Sequence, residues 1–320
     1  MQGEDGYAIG RQCYDELGNS VEAAVFDVSG APTSYHNQGW HTNTRQYDDY
    51  GNETRILLFD MNGSPTLLKG ESWHERATQY DEYGNSVEIG FFGTSGQPIL
   101  HKDGYHKWIS QYDERSNVIG GAFFGTDGQP ILHKDGYYKW TAQYDARGNV
   151  IGGAFFGTDG QPILLKDGYH KWTSQYDARS NRIEEAYFDV ENKPIIRRDL
   201  GFHRFVWKYD ERGNKTEEAY FGTDGQPILH KDGYHKWTAQ YDARGNQIET
   251  AYFGTNGQPI LHKDGNHKWT AQYDARGNQI ERVYFGTDGQ PILLRDGYHK
   301  WTAQYDARGN QIETAQGWLI

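Results

Sequence analysis

The sequence predicts an all-β fold: a tandem β-hairpin repeat array forming an elongated solenoid or ribbon of about ten units, each 32 or 33 residues long. Three periodic features carry this prediction. A Tyr-Asp pair recurs every 32 or 33 residues, an asparagine follows four residues after each of these aspartates, and all nine prolines stand eighteen residues after a repeat tyrosine. The ten repeat tyrosines, which number the units, are Tyr14, Tyr47, Tyr80, Tyr112, Tyr144, Tyr176, Tyr209, Tyr241, Tyr273 and Tyr305.

The first elements of each unit form the predicted hairpin. In the eighth unit, taken as the reference, strand A spans 235–242, a four-residue turn spans 243–246 and strand B spans 247–253. Gly245 supplies the positive φ that such a turn needs. This register sorts the side chains onto two faces, one of them almost wholly apolar or aromatic. The expected pairs are Tyr241 with Ile248, Ala239 with Thr250 and Trp237 with Tyr252, and on the mixed face Gln240 with Glu249, Thr238 with Ala251 and Lys236 with Phe253.

The rest of each unit leads the chain to the next hairpin. Residues 254–258 read as a second turn, and 259–263 as a short strand or extended connector with proline at its first position. Asp264-Gly265 then turns into the next strand A. The sixth unit carries one extra residue at this last turn, where Asp199-Leu200-Gly201 replaces Asp-Gly, which indicates an exposed turn. Apolar residues at helical spacing are absent from the sequence.

The chain is predicted to be a single array over residues 1–320, with divergent units in 1–100 and near-identical units in 101–315. Because a lone hairpin is marginally stable in water, each unit should bury its aromatic face against its neighbours. Divergence concentrates at the ends. Gly10, Asn43 and Arg76 stand where later units have tryptophan, and Gln316-Gly317-Trp318 replaces the usual Tyr-Phe-Gly.

Composition excludes several classes of partner. The hydrophobic share is 36% and the formal net charge is −12, so the chain offers no basic face to nucleic acid. No apolar run is long enough to insert into a membrane, and residues 1–30 lack the features of a signal peptide. The lone Cys13 cannot form an internal disulfide. We expect no cofactor.

The repeated core Tyr144-Asp145-Ala146-Arg147-Gly148-Asn149 resembles the YD repeats of bacterial RHS-type proteins, which are also tandem β-hairpins. That resemblance implies a bacterial origin and a structural β-sheet role, such as the wall of a toxin shell or a surface array. It also implies a location at the cell surface or among secreted proteins. The aromatic and glycine rhythm around Asp232-Gly233-Tyr234 is similar, more loosely, to choline-binding or glucan-binding cell-wall repeats.

Two sets of side chains are candidates for a ligand or interaction surface. A tryptophan row could stack sugar rings if it faces water, whereas its pairing with Tyr252-type residues favours the buried core. Histidines recur five residues apart across a turn and could bind a transition metal; the alternative is that they are cross-strand surface residues. The candidates are Trp108, Trp140, Trp172, Trp237, Trp269 and Trp301, with His106, His235 and His267.

Neither catalysis nor metal binding is expected. Each unit also places aspartates in turns, such as Asp242, where a column of carboxylates could hold calcium; Asp and Asn more often bond their own turn backbone. Nearly every polar residue is repeated, whereas an active site needs a unique constellation. The degenerate segment 189–207 is the one place where a local function could lie.

The first hypothesis is therefore a non-enzymatic structural or protein-interaction scaffold, which binds a protein partner or another copy of itself. The alternative is a carbohydrate- or cell-envelope-binding module.

Overall fold

The computed structural model describes residues 9–35 and 38–317, and these residues form twenty β-strands. The strands are β1 (Ile9–Tyr14), β2 (Ser20–Phe26), β3 (Thr42–Tyr47), β4 (Glu53–Phe59), β5 (Glu75–Tyr80), β6 (Ser86–Phe92), β7 (Lys107–Tyr112), β8 (Val118–Phe124), β9 (Lys139–Tyr144), β10 (Val150–Phe156), β11 (Lys171–Tyr176), β12 (Arg182–Phe188), β13 (Arg204–Tyr209), β14 (Lys215–Phe221), β15 (Lys236–Tyr241), β16 (Gln247–Phe253), β17 (Lys268–Tyr273), β18 (Gln279–Phe285), β19 (Lys300–Tyr305) and β20 (Gln311–Gly317). The all-β class and its ten hairpin units are confirmed. Over these same residues, no helix has the length and apolar character to cross a membrane. The predicted substitution at Trp318 lies outside them.

The chain divides into two compact parts. The N-terminal part contains the described residues up to 144 together with 153–166, and the C-terminal part contains 145–152 and the described residues from 167 onward. In the N-terminal part, β1 to β8 each pair antiparallel with the next strand in sequence, so the run extends from β1 to β9. In the C-terminal part, β11 to β19 each do the same, so the run extends from β11 to β20. Each part is therefore a run of tandem hairpins, as expected.

The hairpin register agrees with the prediction except at one pair. In the eighth unit, β15 and β16 bring together the five expected pairs from Lys236 opposite Phe253 to Gln240 opposite Glu249. Tyr241, however, lies opposite Gln247 and not opposite Ile248, because a β-bulge shifts the register between Gln240 and Tyr241. Strand A is also shorter than predicted, since it begins at Lys236 and ends at Tyr241.

The bulge arises because the turn is closed by the repeated Asp and Asn. Asp242 N–H donates to the carbonyl of Asn246 at 2.9 Å, and Gly245 between them has a φ of 87°. The Asp242 carboxylate accepts hydrogen bonds from the backbone N–H groups of Arg244 and Asn246, and its second oxygen accepts one from the Asn246 side chain at 2.9 Å. The same side-chain bond occurs in all ten units. These bonds explain why Asp and Asn keep a fixed spacing.

After strand B the chain folds back as an extended connector. Pro259 forms an isolated bridge with Phe253, and Ile260 N–H donates to the carbonyl of Tyr252 at 3.1 Å. Because an extended chain alternates its side chains, Ile260 packs against the core and Leu261 points outward. The connector therefore covers the face of the hairpin that carries Trp237 and Tyr252, which we call the tryptophan face.

Seven of the ten repeat tyrosines tie their units to the unit before. The Tyr241 hydroxyl donates to the backbone carbonyl of Lys215 at 2.9 Å, and Lys215 is the first residue of strand B in the preceding unit. Burial raises the pKa of Tyr241, so the phenol keeps the proton that it donates. Equivalent bonds run from Tyr47, Tyr80, Tyr112, Tyr144, Tyr273 and Tyr305.

We expect Tyr241→Phe to lower the free energy of unfolding by about 0.5–1.5 kcal/mol, because it removes one intramolecular hydrogen bond and keeps the ring. Urea denaturation followed by circular dichroism measures this. Tyr14→Phe is the matched control, since Tyr14 is 59% exposed and its hydroxyl bonds only within its own strand, to Gln12. An equal loss in both variants would contradict an inter-unit role for the hydroxyl.

Charged side chains join the units on the opposite face, which carries Lys236 and Phe253. Lys268 bonds Glu249 of the preceding unit at 3.2 Å, and Lys236 bonds Glu217 at 3.3 Å. Arginines in the hairpin turns donate to a carbonyl of the next turn, as Arg147 does to Asp177 at 2.9 Å. From the fifth unit to the ninth, units are thus bonded to their neighbours through turns as well as strands.

The core of each part lies on the tryptophan face and consists mainly of aromatic rings, together with Val25 and Leu58 in the N-terminal part. In the C-terminal part, Tyr220, Tyr234 and Tyr252 follow one another with ring centroids 5.9 and 5.0 Å apart. The His262 ring stacks on Tyr252 at 4.6 Å. Burial raises the pKa of Tyr252 to about 12. We call the rings at the positions of Tyr234 and Tyr252 the aromatic column.

Candidate functional site

The six candidate tryptophans are half-buried, so they are neither wholly in the core nor an open platform. Each lies between two neighbours on the tryptophan face. Trp237, for example, is opposite Tyr252 in its own hairpin and opposite Glu218 of the preceding unit. The residue at the Glu218 position differs between units. It therefore sets the surroundings of each indole.

Two units show that a residue at the Glu218 position also contacts the tryptophan of its own hairpin. Arg282 places its guanidinium carbon 4.2 Å from the ring centre of Trp269 in the same hairpin, a cation–π contact. In the fourth unit the equivalent residue is Gly121, where an added Cβ would lie 2.8 Å from the indole nitrogen of Trp108 and 2.9 Å from that of Trp140. Glycine is needed there because the two indoles occupy the space that a side chain would fill.

The three candidate histidines are buried, although they were considered as surface residues. His106, His235 and His267 are each less than 10% exposed. The Nδ1 atom of His267 lies 2.7 Å from the carbonyl oxygen of Tyr252, and its ring meets Phe253 edge-on at 5.5 Å. His106 makes the same two contacts, with Phe91 and Phe92. These rings therefore bond backbone in the interior.

Across residues 9–35 and 38–317, no three His, Cys, Asp or Glu side chains are grouped so that they could hold a metal ion. The turn aspartates use their oxygens in the turn itself. Hydrogen bonds from Asn246 and from the backbone lower the pKa of Asp242, and the other nine turn aspartates behave alike. Their role in the fold is to close turns.

The degenerate segment 189–207 holds a bonded network. Arg197 takes the place of the usual histidine and lies over the rings of Tyr169 and Tyr187, 5.1 and 4.9 Å from their centres. It also donates to the Tyr187 hydroxyl at 2.9 Å and to the Asp199 carboxylate. Nearby hydroxyl and carboxylate groups raise the pKa of Arg197 against the opposing effect of burial. The extra residue beside Asp199 thus accompanies a local repacking.

The divergent first units enclose a cavity where tryptophan is missing. Gly10 and Asn43 stand at the tryptophan position of the first two units, and a cavity of about 550 Å³ lies beside them. Trp40 and Tyr35, whose rings stack 4.7 Å apart, form part of its wall. Loss of the large indole explains the space, since nothing of similar size replaces it.

One repeated surface was missed by sequence reasoning. The residue two places after each of eight prolines is an exposed aliphatic side chain, 37–49% accessible, although this residue type is usually buried. These residues are Leu67, Leu100, Leu132 and Leu164 in the N-terminal part and Ile196, Leu229, Leu261 and Leu293 in the C-terminal part, and we call the set of four within one part the leucine column. The signal was present in the alternation Pro-Ile-Leu-His, in which Ile and His face the core.

Comparison with known proteins gives limited similarity. No family model matches the chain, and no curated protein matches it. A crystal structure described as TcdB2-TccC3-Cdc42 is 12% identical with a TM-score of 0.36, and the match covers 96% of this chain and 16% of that chain. A second, described as TcdB2-TccC3, is 14% identical with a TM-score of 0.35 and covers 95% and 16%. A Photorhabdus luminescens Tc holotoxin pore structure is 11% identical with a TM-score of 0.26 and covers 96% and 17%.

The chain thus spans about a sixth of the length of these structures, by coverages of 16–17%. At TM-scores of 0.36 and below, the matches carry no argument about function. The chain is similar to parts of TcdB2-TccC3 structures at low identity, and its likeness to YD repeats rests on its own repeated Tyr-Asp and Gly-Asn residues.

Proposed function

We propose that this chain is a non-enzymatic scaffold that binds a protein partner along the leucine column. The observation that carries this proposal is the repetition of an exposed aliphatic side chain at one connector position in eight units. Contiguous exposed apolar surface is typical of protein-interaction sites. Each unit adds two strands at about 4.8 Å, so neighbouring leucines within one part lie about 10 Å apart.

The roles of the repeated polar residues support a scaffold. The repeat Tyr, the turn Asp and Asn, and the Lys and Glu pairs all bond within or between units, as Tyr241, Asp242 and Lys268 do. These groups stabilise the stack and have no need of a substrate. The resemblance to YD repeats supports a place at the bacterial cell surface or among secreted proteins.

A peptide-display selection on the purified chain tests the proposal. We expect the selected peptides to carry apolar anchor residues and to lose at least tenfold in affinity for the double variant Leu132→Ser/Leu164→Ser, because each anchor loses the side chain that it packs against. Gln111→Ser/Gln143→Ser is the matched control, since both glutamines are exposed on strand A of the same units. Peptides that bind the leucine variant as tightly as the unchanged chain would refute the leucine column as the binding surface.

A carbohydrate- or cell-envelope-binding module is the second candidate. It is supported by the half-exposed indoles of Trp108, Trp237 and Trp269, which could each offer part of a ring face to a sugar. Tryptophan fluorescence distinguishes the two candidates. If the indoles bind sugar, adding glycans shifts the tryptophan emission. If the partner binds at the leucine column, glycans leave both the emission and the bound peptide unchanged.

A further inference from the structure

Within the C-terminal part, the aromatic column lacks a ring at Asn266, as it also does at Gln316 in the last unit. The position of Tyr234 is aromatic in nine of the ten units and holds Asn266 in the ninth unit. Eight of these aromatic residues lie in the part of the chain that the structure describes, and they are Trp40, Trp73, Tyr105, Tyr137, Tyr169, Phe202, Tyr234 and Tyr298. Where the ring is present, Tyr234 fills the space between Tyr220 and Tyr252. Where it is absent, the space should remain open.

A cavity of about 470 Å³ occupies that place. Tyr252 and Tyr284, the two rings that would contact the missing tyrosine, both line it, as do Trp269 and Tyr298. This volume is within the range of small-molecule sites in proteins, about 300–1,000 Å³. The cavity is therefore a gap in the aromatic column, with aromatic walls.

The cavity also contains a polar group without a partner. Asn266 is 3% exposed, and its Nδ2 atom makes no hydrogen bond to any residue that the structure describes. A buried amide donor left unsatisfied costs about 1–3 kcal/mol. A ligand that offers an acceptor oxygen at this point would remove that cost.

Two charged residues at the cavity lack the ion pair that their equivalents form between neighbouring units. Lys263 bonds Asp232 of the preceding unit at 2.8 Å. The equivalent residues one unit later are Arg295 and Asp264, both of which line the cavity, and the described contacts include no ion pair between them. The site thus offers both donors and acceptors beside aromatic rings.

We propose that this cavity, which we call the Asn266 site, binds a pyranose sugar. A pyranose has apolar faces that pack on aromatic rings, and its hydroxyls both accept and donate hydrogen bonds. Hydroxyl oxygens accept from Asn266 Nδ2 and Arg295, and hydroxyl protons are donated to Asp264. A flat hydrocarbon ring would leave these groups unsatisfied, and a simple anion would leave the aromatic walls unused.

Saturation-transfer difference NMR with the methyl glycosides of glucose, galactose, mannose and N-acetylglucosamine tests the proposal on the full 320-residue chain. We expect at least one glycoside to bind. Asn266→Tyr should lower its affinity at least tenfold, because the restored ring fills the cavity, and should raise the melting temperature, because the aromatic column becomes continuous between Tyr252 and Tyr284. Asn256→Asp, an exposed change to the residue found in four other units, is the matched control and should leave binding unchanged.

A second variant keeps the test decisive if Asn266→Tyr fails to fold. Asp264→Asn retains the volume and removes one charged acceptor, and it should weaken glycoside binding at least threefold. Para-cresol, which mimics a tyrosine side chain, is titrated in parallel. Binding of para-cresol with no glycoside binding would overturn the sugar proposal and assign the gap to an aromatic side chain of a partner. Glycoside binding unchanged in both variants would overturn the Asn266 site as its location.

Discussion

Replacing Tyr187 with alanine is expected to lower the free energy of unfolding by about 3–5 kcal/mol, the usual cost of deleting a large buried aromatic ring. Tyr187 is 1% exposed, and its ring contacts those of Tyr169 and Phe205. Its hydroxyl donates to Glu185 and accepts from Arg197. The substitution therefore creates a cavity and also leaves two charged side chains with fewer partners.

Urea denaturation of the chain, followed by circular dichroism, measures the loss in the free energy of unfolding. Tyr187→Phe separates the two causes, since it keeps the ring and removes the hydroxyl, and its effect should be smaller. Tyr50→Ala is the control for losing a tyrosine without burial, because Tyr50 is 88% exposed. If Tyr187→Ala were no more harmful than Tyr50→Ala, the aromatic column would not be the source of stability that its burial indicates.

Acid should destabilise the array through its ten turn aspartates acting together. Hydrogen bonds from the turn Asn lower the pKa of Asp242 and its nine counterparts below the ordinary value of 3.8. A carboxylate whose pKa is lower in the folded chain stabilises the fold fully above the unfolded pKa. That contribution is lost as the pH falls through the folded pKa. Stability should therefore be flat above about pH 5 and fall steeply below about pH 4, with up to one proton taken up per turn.

The measurement is the urea midpoint between pH 2.5 and 7 at constant ionic strength. Asn246→Ala, which removes the side-chain donor to Asp242, should reduce stability near neutral pH and make it less dependent on pH. Gln240→Ala on the neighbouring strand is the control and should keep the full dependence. An unchanged midpoint from pH 7 to pH 3 would show that the turn hydrogen bonds contribute nothing to folding.

Much of the fold could be predicted because the same alternation of side chains occurs in ten homologous hairpins of the sequence. Alternation of side chains places Trp237 opposite Tyr252 and Gln240 opposite Glu249, as the structure does. The bulge at Tyr241 could not be found in this way. It depends on the five-residue closure from Asp242 to Asn246, in which the side-chain bonds of Asp decide the turn length.

The candidate site was harder to predict, since burial is decided between units. The surroundings of Trp140, for example, depend on Gly121 of the preceding unit, which lies opposite it. His267 looked like a surface residue, yet it is buried against Phe253 by the fold of the next hairpin. Asn266 is one change among ten equivalent positions. Its importance follows from the rings on either side, which the sequence does not show to be in contact.

The acceptor chosen by the repeat tyrosine has a consequence for how such an array evolves. The hydroxyl bonds a main-chain oxygen, and the residue that supplies it is serine, glutamate, valine, lysine or glutamine in different units, as at Ser20, Glu53, Val118, Lys215 and Gln247. Every amino acid carries that oxygen. After duplication, deletion or transfer of a unit, the tyrosine can therefore form the same hydrogen bond to whichever unit precedes it. The residue that supplies the carbonyl can change between copies without a compensating mutation.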